Sequence, residues 1–199
     1  MQMWKPCLPG KCKPILLVPG ASVDYQIFAL PTIPWNFVDF LREHGYTIYC
    51  INHRVGKTPV AKHNWTTYDA RLDIAAATQK IRDLTGAEKI YAVVHCAGAI
   101  AMSQGLLDGT ITGIGGLTAS QVFMNPIFTD MDKYFSRIKS IAKIYEEGLG
   151  DWFDCVPPAQ DDHPIVEHLI DQLLRLYPVK DGEKCTSVVC HRTELVFGR

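Results

Sequence analysis

The chain has 199 residues, 47% of them hydrophobic and 21% charged, which fits one ordinary globular domain and excludes a disordered polymer. Its 20 Lys and Arg stand against 21 Asp and Glu, a formal charge of −1, so no global field recruits nucleic acid or an anionic membrane. The longest nearly apolar stretch, Ile90 to Met102, is too short to span a bilayer and is broken by His95.

The first residues, 1–13, read as an irregular lead with three Lys and no apolar core of a signal peptide, so a cytoplasmic location is expected. Ile15 to Val18 is a short apolar run ending at Pro19-Gly20, as a strand buried on both faces would end. Trp35 to Arg42 carries apolar residues at helical spacing, with Gly45 placed for a left-handed cap. Tyr46 to Ile51 is rich in β-branched and aromatic residues and predicts a second strand, leaving through Asn52-His53-Arg54. Over Thr67 to Leu84, Leu72, Ala75, Ala76, Ile81 and Leu84 recur at helical steps, with Thr67 as N-cap and Gly86 as terminator. Lys89 to Val94 then predicts a strand, Ala97 to Leu107 a helix, and Gly116 to Phe123 another strand.

This alternation implies an α/β fold, a mostly parallel sheet with flanking helices on both faces. The sheet core is expected over 14–126. Beyond Pro126 the pattern changes to helices at Met131 to Glu147 and Ile165 to Tyr177, then a short strand at Leu195 to Phe197. Residues 127–199 therefore read as a helical lid or insertion with a tail.

Parallel sheets bind ligands outside the carboxyl ends of their strands. At one such end, Val94-His95-Cys96-Ala97-Gly98 runs straight from strand into helix, which sets Cys96 at a sharp turn facing the helix N-terminus. These five residues resemble the nucleophile elbow Gly-x-Ser-x-Gly of the α/β-hydrolase family, with Val94 for the first Gly and Cys96 for Ser. The resemblance implies Cys96 as nucleophile, as in hydrolases of this fold resembling dienelactone hydrolase, while Val94 is expected to crowd the turn. Val18-Pro19-Gly20-Ala21 is similar to the family's oxyanion loop, and the backbone N–H groups of Ala21 and Ala97 are then the implied oxyanion donors. Asn52 to Gly56 resembles the family's Asp-x-Arg-Gly loop.

Within that family, Pro19 to Phe28, Asn64 to Asp73 and Ser120 to Pro126 look like the hydrolase-like C-terminal region of fungal cholesterol-oxidase-like proteins. Those carry a preceding flavin-dependent glucose-methanol-choline oxidoreductase portion. No Gly-x-Gly-x-x-Gly stands here in a strand-to-helix setting, so no FAD and no other cofactor is expected. The family takes its acid and His from loops after the last two strands. Those strands are missing by this reading, so the chain looks like a hydrolase module cut short at its C-terminus. Asp130 and Asp132 are the weak acid candidates, against a plainer role as helix caps. His163, His168 and His191 sit in the lid or tail, and none is assigned as base.

Plainer uses compete for the other residues. Cys96 as a buried hydrophobe, His95 as a pocket spacer, Arg54 as a structural donor, and Tyr25 and Trp65 as core packing are the competing readings. Cys7, Cys12, Cys185 and Cys190 form two C-x4-C pairs, wider than zinc knuckles, and no metal is read from them. The expected activity is hydrolysis of an ester, thioester or lactone, with a small apolar or lipid-like substrate. The alternative is a non-catalytic lipid- or partner-binding module, with a homo-oligomer or a partner chain covering the open sheet edge.

Overall fold

The computed structural model describes residues 2–4, 13–21, 23–56 and 65–121, together with Asp130, Lys133, Ile165, Leu169 and Gln172. The chain divides into two compact units, Met1–Ile127 and Phe128–Arg199. In the first, the strands are β1 (Gln2–Trp4), β2 (Pro14–Val18), β3 (Thr47–Cys50), β4 (Ile90–His95) and β5 (Ile114–Ser120). The α-helices are α1 (Phe37–Glu43), α2 (Thr67–Thr85) and α3 (Ala97–Leu107).

The strand order is β1-β3-β2-β4-β5. β2 runs parallel to both β3 and β4, with Ile15 opposite Ile48 on one side and Tyr91 on the other, and β4 runs parallel to β5. β1 is antiparallel to β3. The expected α/β class, a mostly parallel sheet with flanking helices, is what the described residues form. β1 is an addition, since it lies inside the segment read as an irregular lead.

Strand periodicity explains the two layers of core. Successive side chains point to opposite faces, so β2 sends Leu16 and Val18 one way and Ile15 and Leu17 the other. The first pair packs with Ile74 and Ile81 of α2 and Met102 of α3. The second packs with Phe28, Val38 and Leu41, from a short 3-10 turn and from α1. Every residue of β2 is buried, as its unbroken apolar run requires.

Local chemistry sets the helix ends, and two caps differ from expectation. α1 begins at Phe37 because Asn36 accepts the Asp39 N–H on its side chain at 3.1 Å, which leaves Trp35 outside the helix and 53% exposed. Thr66, not Thr67, caps α2: its hydroxyl accepts from Asp69 N and the Asp69 carboxylate accepts from Thr66 N, a reciprocal box. Gly86 ends α2 at φ 68, as expected of a left-handed cap. The buried face of α2 is Ala70, Ile74, Ala77, Thr78, Ile81 and Thr85, whereas Leu72 and Leu84 are exposed, so the helical period was right and its phase was not.

β5 spans Ile114–Ser120, beginning earlier than the predicted strand, and Gln121 follows at φ 50. Of the helices predicted beyond Pro126, Asp130, Lys133, Ile165, Leu169 and Gln172 are described, all helical, and Ile165 and Leu169 are exposed. The remainder of those segments, the strand at Leu195 to Phe197 and the two C-x4-C pairs lie outside the described residues. Among the described residues no helix is long and apolar enough to cross a membrane, and no cluster of His, Cys, Asp and Glu is arranged to hold a metal.

Candidate functional site

The site is built where β2 and β4 end side by side. Val18 pairs with Val94 in register, so the chain leaving β2 (Pro19-Gly20-Ala21) and the chain leaving β4 (His95-Cys96-Ala97) emerge together at one edge. β4 turns into α3 with no intervening loop, and Cys96 is the residue that makes the turn, at φ 52 and ψ −122. Side chains other than glycine rarely adopt this backbone region, and holding one there costs about 1–3 kcal/mol that the surroundings must offset. The turn is pinned on both sides. Cys96 N–H donates to Ser120 O at 3.0 Å, and Cys96 O accepts from Ala99 N at 2.9 Å.

The two glycines of the site are there for space. A Cβ on Gly98 would overlap the Pro19 carbonyl oxygen and come within 2.8 Å of Val18 Cγ1, so α3 can approach β2 this closely only with hydrogen at that position. A Cβ on Gly20 would stand 3.0 Å from Cys96 Cβ and 3.6 Å from Cys96 Sγ, so Gly20 faces the Cys96 side chain. Val94, expected to crowd the turn, is fully buried in the core between β2 and β5, and the turn forms with it in place.

Cys96 is partly exposed, unlike Cys50 at the end of β3, which is 1% exposed and whose thiol burial pushes up to about 12. Ala97 is the first residue of α3, so its N–H lies among those that helix geometry leaves without an intrahelical acceptor. Ala21 follows Gly20 in the exit from β2. The structure therefore brings Cys96, Ala97 and the Gly20-Ala21 strand exit to one edge.

The histidines divide by environment. His95 shares a 2.8 Å hydrogen bond with Ser120 Oγ through Nδ1, and its ring edge lies 3.4 Å from the position a Gly20 Cβ would take, beside the thiol. It lines the edge, in keeping with a spacer. His44 Nδ1 donates to Phe40 O at 2.8 Å on the far side of α1. His53 is wholly buried, and its Nε2 stands 2.8 Å from the Pro19 carbonyl oxygen. A carbonyl only accepts, so Nε2 carries the proton and Nδ1 is left as a bare acceptor with no hydrogen-bond partner among the described residues. Burial pushes the imidazole below its usual pKa against the opposing pull of the Pro19 bond and the Asp73 charge. Sequence inspection did not single out His53, because its partner is remote along the chain.

Arg54 has a structural task, as the plainer reading held. Its backbone N–H and its guanidinium donate to the Asp73 carboxylate at 2.9, 3.0 and 2.6 Å, joining the loop after β3 to α2. Burial alone would raise the Asp73 carboxyl, but the hydrogen bonds from Arg54 outweigh it and hold the group below the usual carboxylate range. The Arg54 guanidinium also lies over the Trp65 ring at 4.9 Å, so Trp65 serves as a partly exposed stacking partner and not as core. Tyr25 packs against the α1-side core, and its N–H donates to Asn52 Oδ1 at 2.9 Å.

Asp130 is fully exposed and paired with Lys133 one helical turn on, at 3.2 Å. Asp132, His163, His168 and His191 lie outside the described residues. A groove of about 500 Å³ opens elsewhere, lined by Pro34, Trp35, Asp39, Arg42 and Glu43. Asp39 and Arg42 there are engaged with each other at 3.3 Å.

No family model and no curated protein matches the chain. Among solved structures, an α/β hydrolase fold protein from Burkholderia ambifaria matches 93% of this chain over 58% of its own, at 11% identity and a TM-score of 0.49. An enantioselective mutant of epoxide hydrolase from Aspergillus niger matches 94% of this chain over 50% of its own, at 12% identity and a TM-score of 0.44. The chain thus spans between half and three fifths of the length of these two structures. Likenesses this distant assign no chemistry to the strand ends, which stand on their own geometry.

Proposed function

We propose that this chain is an α/β-hydrolase-fold protein that cleaves an ester, thioester or lactone with an apolar acyl part, using Cys96 as nucleophile. The observation that carries the proposal is the turn at Cys96: a non-glycine residue is held at positive φ between β4 and α3, with its side chain facing Gly20 at the exit from β2. Strained residues at strand ends are retained where the strain aims a reactive atom.

In this reading Cys96 Sγ, as thiolate, bonds to the substrate carbonyl carbon, and the Ala97 and Ala21 N–H groups receive the negative charge that gathers on the carbonyl oxygen. The bond to the leaving group breaks, the leaving group departs with a proton, and water hydrolyses the acyl thioester to return the thiol. Asp130 and Asp132 remain the acid candidates of the proposal. Kinship with the hydrolase-like regions of fungal cholesterol-oxidase-like proteins is part of the same proposal and rests on the three sequence segments alone.

The test is turnover of a panel of short and medium p-nitrophenyl esters and thioesters by the native chain and by Cys96→Ala. Turnover by the native chain that disappears in the variant is the expected result. Equal turnover in both would remove Cys96 from the chemistry.

A further inference from the structure

The Pro19 carbonyl is the hinge between β2 and the oxyanion side of the site, and it is held from two directions. Gly98 of α3 packs against it so closely that no Cβ fits between them. From the other side comes the His53 Nε2–H, at 2.8 Å, from a ring with no exposed surface. The next residue, Gly20, faces the Cys96 side chain, and the residue after that is Ala21. A peptide plane is rigid, so fixing the carbonyl of Pro19 also fixes the direction of the Gly20 N–H and narrows the rotations that aim the Ala21 N–H.

His53 is itself firmly seated. Gly56 N–H donates to His53 O at 2.8 Å, closing a tight turn, and a Cβ on Gly56 would stand 3.1 Å from that same oxygen. The adjacent Arg54 is bound to Asp73 of α2 through backbone and side chain. The imidazole thus transmits the position of α2 and the β3 exit loop to the β2 exit loop. An apolar side chain would leave no ring nitrogen to satisfy at Nδ1. What an apolar side chain cannot supply is the donor to Pro19 O.

We infer that His53 is a positioning residue for the oxyanion side of the site: through its Nε2–H bond to Pro19 O it holds Gly20 and Ala21 in register with the Cys96 sulfur. This rests on the hydrolase reading for its catalytic meaning, but the backbone effect stands apart from it. His53 has no exposed surface from which to meet a substrate.

The experiment compares His53→Gln, whose side-chain amide retains a donor for Pro19 O, with His53→Leu, which has none, and His53→Asn, whose amide is too short to reach. Backbone ¹⁵N relaxation of Gly20 and Ala21 reads the positioning directly, and ester turnover reads its consequence. In the Leu and Asn variants Gly20 and Ala21 should become mobile while β4 and α3 stay ordered. kcat should fall by about tenfold or more with KM within about threefold, and the Gln variant should recover most of both losses. Unchanged Gly20 and Ala21 order in a folded Leu or Asn variant overturns the inference, as does unfolding of both. A native chain with no ester turnover, but with mobile Gly20 and Ala21 in those variants, would refute the hydrolase reading and leave His53 as the anchor of this loop.

Discussion

The two strands that flank β2, β3 and β4, run into cysteine and come to opposite outcomes. At the end of β3 the chain stays extended through Cys50 and Ile51, both buried, and turns only after Asn52, where side-chain hydrogen bonds carry the loop. At the end of β4 the chain reverses within one residue, and Cys96 takes up the whole change of direction at positive φ. The same residue type is a core filler in one place and a presented sulfur in the other. What separates them is not the cysteine but its surroundings: a glycine two residues on, a glycine in the segment leaving β2, and a hydrogen bond to Ser120 O that fixes the turn.

The largest test of that contrast is steric. Gly98→Val should destabilise the fold by roughly 3 kcal/mol or more, because the obstructing atoms are the Pro19 carbonyl and Val18 and cannot swing away. The conservative change Ile51→Val at the end of β3 should cost about 1 kcal/mol. Urea unfolding of the two variants measures the difference, and similar losses would mean that the β4 end is no more tightly built than the β3 end.

Alkylation sharpens the comparison chemically. Iodoacetamide on the native chain should modify Cys96 at least about a hundredfold faster than Cys50, since the latter is buried and its thiol is held protonated to about 12. Peptide mass spectrometry over a time course gives both rates, and comparable rates would erase the distinction.

Next in size is the Arg54 and Asp73 pair that secures the β3 exit. Asp73→Ala should lower stability by about 2 kcal/mol at neutral pH by leaving Arg54 with unmade hydrogen bonds. The Asp73 carboxyl is depressed in the folded chain, so as pH falls the unfolded chain takes up its proton first. The stabilisation is whole above the ordinary carboxylate value and is lost as pH falls through the folded one. His53 acts the same way at higher pH. Its imidazole is also lowered, so stability should decline as pH falls through the ordinary imidazole value of about 6.5, and His53→Gln should flatten that part of the curve. Denaturation midpoints across this range decide it, and an unchanged slope in the variant would mean that another group carries the dependence.

The smallest expected effect runs the other way. Cys96→Gly should raise stability by about 1 kcal/mol, because glycine occupies positive φ without strain. A loss instead would mean that contacts of the Cys96 side chain outweigh the strain of its backbone.

Much of the β2-to-α3 framework was legible in sequence, because strands buried on both faces write themselves as unbroken apolar runs and α2 ends at a glycine that must be left-handed. The strand-to-helix turn at Cys96 was legible for the same reason: nothing separates Val94 from Ala97 that could be a loop. The face of α2 was not. Apolar count favours Leu72 and Leu84, whereas the helix buries Thr78 and Thr85 next to small Ala77, and Thr85 is made acceptable inside by a 2.7 Å bond from its hydroxyl to Ile81 O. Nor was β1, whose three residues are a strand only because β3 offers an antiparallel edge. The bond from His53 to Pro19 and the tie from Arg54 to Asp73 join positions far apart along the chain, and no spacing rule announces either.

The order of strands has a consequence for synthesis on the ribosome. β2 is made early and β3 soon after, yet the second edge of β2 is matched only by β4, which emerges after the whole of α2. Until then Val18 and Leu16 have neither β4 nor α3 to pack on, and the nascent chain carries an apolar strand with one side open. Closing that gap is a long-range pairing, slow by nature, and the turn at Cys96 is pinned later still, when β5 brings Ser120 O to the Cys96 N–H. The Cys96 side chain is therefore set in place only when the chain has folded around it.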